Sequence, residues 1–328
     1  MKIFVTGATG FIGVPLSLSL AKARHIVHAL YRTESKTLPL EHKNIRLFKG
    51  DLLDAESVKD AMQGCDTVFH AGAFAGMWAR DPKTIYDSNV AGTGTVLDAA
   101  KQNRVKKIIF TSTAGVFYPV QGRDVHESCS RAGDHFSDYD RSKHMAEELI
   151  LEYIDQGMDV VMVNPTRVYG PGVMSESNGV TRWVDVCLRK NWALIPGRGG
   201  CNGNYVFIDD VVRGHILAME RGRAGERYLL GGSNISYEGF ISVLEDVTQR
   251  KFKKVKIPLR MMKGAAGSFQ FFSKISGKPP LITPQFVEKL ICDCLVSSGK
   301  AARDLGYQIT ELFDGLKKTV AWLKTRND

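Results

Sequence analysis

The sequence lacks any long apolar run and has few cysteines. No stretch of eighteen consecutive apolar residues occurs, which argues against a transmembrane helix. Glycines interrupt the apolar N-terminal stretch and no small-residue cleavage site follows it, so we expect no signal peptide. Six cysteines are scattered over 328 residues, and we expect them to be reduced thiols in a cytoplasmic protein.

Metal-ligand spacing is missing as well. The eight histidines show no metal-binding pattern. Cys292 and Cys294 are too close together for a zinc knuckle, and no second pair complements them. We therefore expect no metal, and we interpret His25 and His28 as structural.

Acidic residues are absent from one segment of a chain whose net charge is +9. From Val247 to Val287 there are nine Lys or Arg residues and no Asp or Glu. Such a segment usually forms a solvated basic face. An anionic partner and a peripheral contact with a membrane surface are the alternatives, and we expect no nucleic-acid partner.

Strand-like apolar runs alternate with helical patterns through the first half of the chain. The runs are KIFVT, HIVHALY, IRLFK, DTVFHA, KKIIFTS and DVVMVNP. Helical patterns at 11–23, 54–63, about 83–103 and 139–156 separate most of them. This alternation predicts an α/β fold, a doubly wound parallel sheet with helices on both faces.

The pattern loosens after Pro165, and from about residue 236 it is mainly helical. We therefore expect two structural units. A dinucleotide-binding domain would comprise residues 1–170 and 205–235. A smaller, mainly helical substrate lobe would comprise residues 171–204 and 236–328.

Three glycines in TGATGFIG separate the first strand from the first helix. Gly7 follows the strand directly, where the missing Cβ permits a sharp turn and close approach of a ligand. Gly10 lies where a pyrophosphate would rest against the helix N-terminus, and Gly13 lets the helix pack on the strand. A glycine triplet also occurs in purely structural turns, but this strand–glycine–helix context favours a dinucleotide site.

A basic residue ends the second strand, where dinucleotide folds commonly place an acid that binds the ribose 2′-hydroxyl. That position holds Arg32, with Lys36 close by. A guanidinium suits a 2′-phosphate, so the predicted cofactor is NADP(H) rather than NAD; an exposed surface arginine is the plain alternative. Asp51, after the third strand, is placed for an adenine amino group or for a helix N-cap.

A tyrosine and a lysine lie one helical turn apart in SDYDRSKHMAEEL. Tyr139 and Lys143 share a helix face, and a nearby ammonium lowers a phenol pKa, which suits acid–base catalysis. The same spacing also arises by chance on exposed helices. Upstream, Thr111, Ser112 and Thr113 end a strand at the carboxyl edge of the sheet, where ligands bind in open α/β folds.

Eight motifs occur in one order along the chain. They are TGATGFIG, Arg32, GDLLD, VFHAGA, SNVAGT, FTSTAGV, YDRSK and NPTRVYGPG. Together they resemble the extended short-chain dehydrogenase/reductase family, strongly over residues 1–232. HALYR, the tryptophan of GMWARDP and KPPLITPQFV are similar to its dihydroflavonol reductase and 3β-hydroxysteroid dehydrogenase branch. The resemblance implies a Rossmann-type sheet, an oxidoreductase and a homodimer.

The resemblance also implies roles for residues. Tyr139 would protonate a substrate carbonyl as hydride arrives, and Lys143 would lower its pKa and hold the nicotinamide ribose. Thr113 matches the catalytic serine of the family, with Ser112 as the fallback. Asn89 is similar to the asparagine that supports the active-site helix.

Motifs and resemblance together give the expected contacts. Those with the cofactor are Gly7, Thr9, Gly10, Phe11, Ile12, Arg32, Lys36, Asp51, Leu52, Ala71, Gly72, Ala73, Thr111, Tyr139, Lys143, Pro165, Thr166 and Val168. Those with the substrate are Ser112, Trp78 and Tyr169, the two aromatic residues forming walls in loops at the carboxyl edge of the sheet.

Three function classes fit these motifs. The first is an NADP-dependent reductase or dehydrogenase acting on a bulky apolar substrate, since Pro258–Val287 is rich in large apolar residues. The second is a nucleotide-sugar epimerase or dehydratase with bound NAD. Arg32 weighs against it, and so does the lack of the Asp/Glu pair that the family's sugar dehydratases carry just after the hydroxyls. The third is a non-catalytic dinucleotide sensor. Such relatives generally lack the tyrosine and the lysine, whereas this chain has both Tyr139 and Lys143. We favour the first class.

Overall fold

Strands and helices alternate along most of the chain. The computed structural model describes residues 1–76, 78–117, 123–129, 135–277, 280 and 282–327. The strands are β1 (Lys2–Thr6), β2 (Ile26–Tyr31), β3 (Ile45–Lys49), β4 (Thr67–His70), β5 (Lys107–Thr111), β6 (Val160–Pro165), β7 (Arg167–Tyr169), β8 (Trp192–Pro196), β9 (Asn202–Phe207), β10 (Arg227–Leu230), β11 (Ser233–Ser236) and β12 (Lys253–Ile257). The helices are α1 (Gly13–Lys22), α2 (Ala55–Ala61), α3 (Lys83–Tyr86), α4 (Gly92–Gln102), α5 (Asp138–Asp155), α6 (Gly179–Lys190), α7 (Ile208–Arg221), α8 (Tyr237–Thr248), α9 (Leu259–Ser276), α10 (Pro284–Ile291), α11 (Gly299–Leu305) and α12 (Leu312–Asn327).

Seven of these strands form one parallel sheet in the order β3-β2-β1-β4-β5-β6-β10. Val5 of β1 lies opposite Ala29 of β2 on one side and Phe69 of β4 on the other. The direction of winding therefore reverses between β1 and β4. Open α/β sheets bind ligands beyond the carboxyl ends of their strands at such a reversal.

The sheet is covered on both faces because its strands are apolar on both faces. Ile3 and Val5 of β1 pack with Leu20 of α1, in a core that also includes residues of α7 and α11. Phe4 packs on the other face with Val96 of α4, beside α2 and α5. Two helical layers around a parallel sheet confirm the predicted doubly wound α/β fold.

The second half of the chain adds two small sheets that the sequence did not predict. One has the order β11-β9-β7, and the other pairs β12 with β8. With α6, α8 and α12 they enclose an aromatic core. The predicted boundaries at 204/205 and 235/236 fall inside β9 and β11, and the division into two units remains a prediction.

The helix predicted over about 83–103 is interrupted. Residues Asp87–Ala91 form a π-helical turn between α3 and α4. Such turns often occur at functional sites, and this one contains Asn89.

Helix α9 is peripheral and presents apolar side chains to solvent. The exposed ones are Phe269, Phe271, Phe272, Met261 and Ile275, with exposed fractions between 38% and 70%. Met262 and Ala266 of the same helix are buried and pack against Val287 of α10. None of the helices in the described ranges combines the length and the apolar character that crossing a bilayer requires.

Candidate active site

Two glycines shape the turn between β1 and α1. Gly7 has φ +64°, and a Cβ there would lie 2.7 Å from the carbonyl carbon of Ala71, in the loop after β4. A Cβ on Gly13 would overlap the carbonyl oxygen of Gly7. The loops after β1 and β4 therefore touch at the reversal point, and α1 starts against its strand.

The N-terminus of α1 has the properties of an anion site. A Cβ on Gly10 would meet only the oxygen of Gly7, at 3.1 Å. Helix α1 begins without a side-chain cap and without an acid in its first turn, so its N–H groups and positive dipole end lie beside Gly10. The side chain of Leu52 packs close to Gly72, because a Cβ added to this glycine would lie 3.1 Å from Leu52 Cδ1. This open, uncapped turn fits the diphosphate of a dinucleotide.

Arg32 follows β2 with an exposed side chain, and its Nη1 lies 3.5 Å from Oδ2 of Asp51. Lys36 is exposed in a short 3₁₀ turn nearby. The N-cap interpretation of Asp51 is wrong, because Asp54 caps α2 by accepting a hydrogen bond from the N–H of Ser57. Asp51 instead stands beside Arg32 at the carboxyl edge of the sheet.

Other expected cofactor contacts lie at the same edge. Thr9, Phe11 and Ile12 follow β1, and the side chain of Phe11 is buried in the aromatic core, which leaves its backbone for a ligand. Ala71, Gly72 and Ala73 follow β4. Pro165 ends β6, and Val168 of β7 packs against the aromatic core.

Tyr139 lies in the first turn of α5 and Lys143 in the second, with Ser137 as the N-cap. Lys143 is only 1% exposed, and its ammonium lies 3.8 Å from the ring centroid of Phe110. Burial lowers the pKa of Lys143 to about 7, against the opposing effect of the Glu147 carboxylate. The lysine is therefore poised to change its charge near neutral pH.

The pKa of Tyr139 is raised, chiefly by burial and further by the Asp140 carboxylate. The sequence predicted the opposite, a pKa lowered by Lys143. Burial explains the difference, because it disfavours both the phenolate and the ammonium that would stabilise it. In this structure Tyr139 holds its proton firmly at neutral pH.

The three consecutive hydroxyls at the end of β5 are not equivalent. Nδ1 of His215 donates to the carbonyl of Val211 at 2.7 Å, so its Nε2 accepts the hydroxyl proton of Thr111 at 2.8 Å. Thr111 therefore ends β5 at the carboxyl edge of the sheet, as expected, but its hydroxyl is engaged by His215, and its contact with the cofactor stays a prediction. That side chain is held against α7.

The next two hydroxyls differ in their surroundings. Ser112 Oγ is buried and has no hydrogen-bond partner within the described residues. Thr113 Oγ1 accepts from the N–H of Gly115 at 3.1 Å and lines a cavity. Access to this cavity supports Thr113 rather than Ser112 as the reacting hydroxyl.

The cavity lies between the carboxyl ends of β5 and β6 and the later chain. Its volume is ≈ 100 Å³, and its lining includes Thr113, Pro165, Thr166, Arg167, Asn204, Phe136 and Lys289. Thr166 donates its hydroxyl proton to Asn204 Oδ1 at 2.7 Å. The surface of the wall is mainly apolar, with a few polar groups such as those of Thr113, Arg167 and Lys289, and none of the exposed residues of α9 belongs to it.

The two predicted aromatic walls are not found at the cavity. Tyr169 is 1% exposed and packs against the rings of Phe207 and Phe240. Its prediction as a substrate contact is wrong, because the missed strand β7 turns it into the aromatic core. Trp78 is half-buried in the loop after β4 and is not among the described residues that line the cavity.

Asn89 connects the loop after β4 to α5. Its Oδ1 accepts from the N–H of Phe74 at 2.7 Å, and its Nδ2 donates to Ser142 Oγ at 2.8 Å. Ser142 donates in turn to the carbonyl of Tyr139 at 2.8 Å. These contacts confirm the expected support of the helix that carries Tyr139.

A buried hydrogen-bond chain extends this support to the glycine turn. Thr93 donates to the carbonyl of Asn89 at 2.6 Å, so it accepts from Nε2 of His70 at 3.1 Å. Nδ1 of His70 then accepts from the hydroxyl of Thr6 at 2.7 Å, which accepts from the N–H of Gly72 at 3.0 Å. Burial, followed by the charge of Lys143, lowers the pKa of His70 to about 3, which preserves this neutral tautomer.

Sequence reasoning missed a buried carboxylate near Thr113, that of Glu147, and its partly exposed partner Arg227. Asn164 Nδ2 donates to the carbonyl of Thr113 at 3.2 Å and to Glu147 Oε1 at 2.7 Å. The other oxygen of Glu147 lies 3.1 Å from Nε of Arg227. One available signal was the position of Glu147, four residues after Lys143 on the same helix face.

The described parts of the chain contain no cluster of three His, Cys, Asp or Glu side chains that could hold a metal ion. All six cysteines are free thiols. His28 is buried with Nδ1 2.8 Å from the carbonyl of Ala61, which confirms its structural interpretation.

Residues 3–231 match the NAD dependent epimerase/dehydratase family. The chain belongs to this family and, with it, to the extended short-chain dehydrogenase/reductase superfamily. It is an enzyme of the oxidoreductase and epimerase type. This confirms the family and the enzyme class predicted from the motifs.

Three relatives illustrate the range of the family. A provisionally named dihydroflavonol 4-reductase of Synechocystis sp. is 30% identical over 98% of this chain and 94% of its own. Sterol demethylase protein B of Methylococcus capsulatus is 30% identical over 99% of both chains. A 4-hydroxy-2-methyl-3-oxo-4-farnesyl-3,4-dihydroquinoline-1-oxide ketoreductase of Stigmatella aurantiaca is 29% identical over 94% of this chain and 92% of its own.

Solved structures agree with the fold. The crystal structure of gox2253 has a TM-score of 0.85 at 28% identity, covering 99% of this chain and 98% of its own. The UDP-glucuronic acid 4-epimerase of Bacillus cereus, in complex with UDP-glucuronic acid and NAD, has a TM-score of 0.81 at 25% identity over 99% and 100% of the two chains.

Proposed function

We propose that the chain is an NADP-dependent oxidoreductase that reduces the ketone or aldehyde of a bulky, largely apolar substrate, or oxidises the corresponding alcohol. The observation that carries this proposal is that α5, with Tyr139 and Lys143 in its first two turns, packs against the turn after β5 that Thr113 begins. The Lys143 ammonium lies 3.8 Å from the ring centroid of Phe110 in β5. The names of two relatives, which refer to a sterol and to a farnesylated ketone, support a lipophilic substrate.

The nicotinamide, when bound, supplies or accepts the hydride. In the reductive direction the Tyr139 hydroxyl donates its proton to the carbonyl oxygen, and the Thr113 hydroxyl binds the same oxygen. The raised pKa of Tyr139 favours the form that still holds this proton, which suits an acid rather than a base. Lys143, with a pKa of about 7, would bind the nicotinamide ribose and return a proton to the phenolate.

The preference for NADP is supported by Arg32. Its side chain is 78% exposed at the end of β2, where NAD-binding folds place an acid. An exposed guanidinium there can bind a 2′-phosphate through charge-assisted bonds. The nearby Asp51 carboxylate would orient the guanidinium.

Fluorescence titration with NADPH and NADH tests this preference. NADPH should bind more tightly to the parent, and Arg32→Asp should weaken NADPH binding by about 10- to 150-fold, equivalent to about 1.5–3 kcal/mol. Arg198→Asp, at an exposed position of the loop after β8, is the matched control and should leave the preference intact. Equal affinity of the parent for both cofactors would refute the assignment.

The alternative is a nucleotide-sugar epimerase or dehydratase with bound NAD, favoured by the likeness to the Bacillus cereus epimerase. The two functions separate in one assay. Aromatic or long-chain ketones are compared with UDP- and dTDP-sugars while NADPH oxidation and sugar product are followed together. Sugar conversion without net NADPH consumption would replace the reductase proposal by the alternative.

We also propose a cytoplasmic location. The six free cysteines support it, because oxidising compartments favour disulfides.

A further inference from the structure

Arg167 is a partly buried cation surrounded by neutral hydrogen-bond partners. Its Nη1 donates to Tyr237 Oη at 2.9 Å and to Tyr205 Oη at 3.3 Å, and its Nη2 donates to the carbonyl of Lys289 at 3.3 Å. Its guanidinium carbon lies 5.6 Å from the centroid of each tyrosine ring. Among the ion pairs of the described residues, none joins a carboxylate to Arg167.

Charges removed from water in proteins are normally paired with an opposite charge. The second cation of the cavity is paired, because Lys289 Nζ lies 2.8 and 3.0 Å from the two carboxylate oxygens of buried Asp140. Arg167 is different. Its hydrogen bonds use three of the five guanidinium N–H donors, which leaves the Nε–H and one Nη2–H.

Arg167 and Thr113 line the same small cavity. A group bound by the remaining donors of Arg167 would therefore lie close to a carbonyl that hydrogen-bonds Thr113. Two donors on one guanidinium match the two oxygens of a carboxylate. A carboxylate of the ligand would also give Arg167 the ion-pair partner that none of the described carboxylates provides.

We propose that Arg167 binds a carboxylate of the substrate, so that the substrate is a keto acid, or the matching hydroxy acid, with an apolar body. This inference rests on the proposed oxidoreductase function. It refines that function, because the acid group would enter the cavity while the apolar body extends beyond it. Since the carbonyl and the carboxylate share one small cavity, few bonds separate them.

Calorimetry with two probes that cannot be reduced tests the subsite without turnover. Octanoate carries the carboxylate, and octanamide is its uncharged counterpart. The NADPH-loaded parent should bind octanoate at least tenfold more tightly than octanamide. Arg167→Gln should weaken octanoate binding by about 10- to 150-fold and leave octanamide unchanged, while Arg198→Gln, which removes an exposed charge, should change neither.

Three results would overturn the subsite. One is equal binding of octanoate and octanamide to the parent, and another is a preference for octanoate that survives in Arg167→Gln. If Arg167→Gln fails to fold, as judged by thermal unfolding, Arg167→Lys replaces it, because lysine keeps the charge but lacks the paired N–H donors of a guanidinium. The third result that would overturn the subsite is an octanoate affinity of Arg167→Lys equal to that of the parent.

Turnover separates this inference from the function on which it rests. We expect 3-oxooctanoate to be reduced with a lower KM than 2-heptanone, and Arg167→Gln to raise the KM for the acid with little change in kcat. Reduction of both ketones without any effect of Arg167 would refute the subsite and keep the function. Arg167-dependent octanoate binding without reduction of any ketone would keep the subsite and refute the function.

Discussion

At the scale of single residues, burial controls the proposed acid–base chemistry. It raises the pKa of Tyr139 and lowers that of Lys143, so both side chains are neutral over part of the pH range in which enzymes work. Because Tyr139 keeps its proton, its phenol can deliver this proton to a carbonyl oxygen. The Lys143 ammonium, with a pKa near 7, can then return a proton to the phenolate.

The first prediction concerns the proton donor. Tyr139→Phe removes only the hydroxyl and should lower turnover by about 10²–10⁴-fold, while thermal unfolding and NADPH affinity stay close to those of the parent. Steady-state kinetics with a ketone substrate measure the loss. A well-folded variant with full turnover would rule out the assignment.

The second prediction separates the two hydroxyls. Thr113→Ala should reduce kcat more than Ser112→Ala, because Thr113 lines the cavity whereas Ser112 Oγ is buried. The two variants serve as controls for each other in the same kinetic assay. The reverse order would show that Ser112 is the reacting group.

The third prediction concerns the stability cost of buried Lys143. Its pKa in the folded protein is lowered from 10.5 to about 7, so folding releases a proton between these values. The loss of folding stability caused by burying this lysine is therefore complete below about pH 7 and declines as the pH rises toward 10.5. Lys143→Met should therefore raise the free energy of unfolding, by on the order of several kcal/mol at pH 6 and by much less at pH 10.

Urea unfolding at both pH values measures this effect in the cofactor-free protein. Lys190→Met, at an exposed position at the end of α6, is the control for replacing a lysine by a methionine. A Lys143→Met variant that is less stable than the parent at pH 6 would contradict the lowered pKa.

Residue types and spacing predicted much of the site, but not its electrostatics. Gly7, Arg32, Lys143 and Asn89 lie where the motifs and the resemblance placed them. The pKa of Tyr139 could not be predicted, because it depends on how deeply the first turn of α5 is buried. The partners of Thr111 and Glu147 come from distant segments, so no local pattern reveals them.

At the scale of elements, continuous apolar runs were predictive, and runs that polar residues interrupt were not. The six strands from β1 to β6 and the helices between them follow clear patterns. Strand β7 has only three residues, Gly and Asn interrupt β9, and β11 is mainly polar. Their pairing across the chain stabilises them, and this pairing also explains why Tyr169 faces a core rather than a ligand.

Helix α9 carries the fourth prediction. Phe271 and Phe272 are 63% and 64% exposed, whereas Met262 is 6% exposed. Phe271→Ser and Phe272→Ser should change the free energy of unfolding by less than about 0.5 kcal/mol, and Met262→Ala should lower it by about 2–5 kcal/mol. Urea unfolding compares the three, and a large loss in either Phe variant would mean that α9 is covered in solution.

The same variants test the membrane alternative raised by the basic segment. If this face contacts lipid, a larger fraction of the parent than of a Phe271→Ser/Phe272→Ser double variant should sediment with anionic vesicles. If equal fractions of both proteins sediment with the vesicles, or if neither protein does, a solvated face is favoured.

At the scale of the whole molecule, the reversal between β1 and β4 brings distant segments to one edge. The glycine turn, the loop after β4 and the start of α5 meet there through Asn89 and His70. The later chain closes the site from the other side, where Lys289 of α10 pairs with Asp140 of α5. The proposed cofactor and substrate positions therefore depend on both the first sheet and the later helix α10.

The last prediction is that the protein is a homodimer joined through α4 and α5, as the family resemblance implies. Ile150 of α5 is buried in the chain's own core, and Leu149 and Tyr153, which are partly buried, pack against that core. Met145 and Leu151 of α5 are 37% and 39% exposed and are available for the interface. Light scattering at micromolar concentration should give twice the chain mass of 36.3 kDa. Met145→Glu should shift the protein toward the monomer, because it adds a charge to this surface, whereas Ile309→Glu, at an exposed position outside both helices, should not. A monomer mass for the parent would refute the dimer.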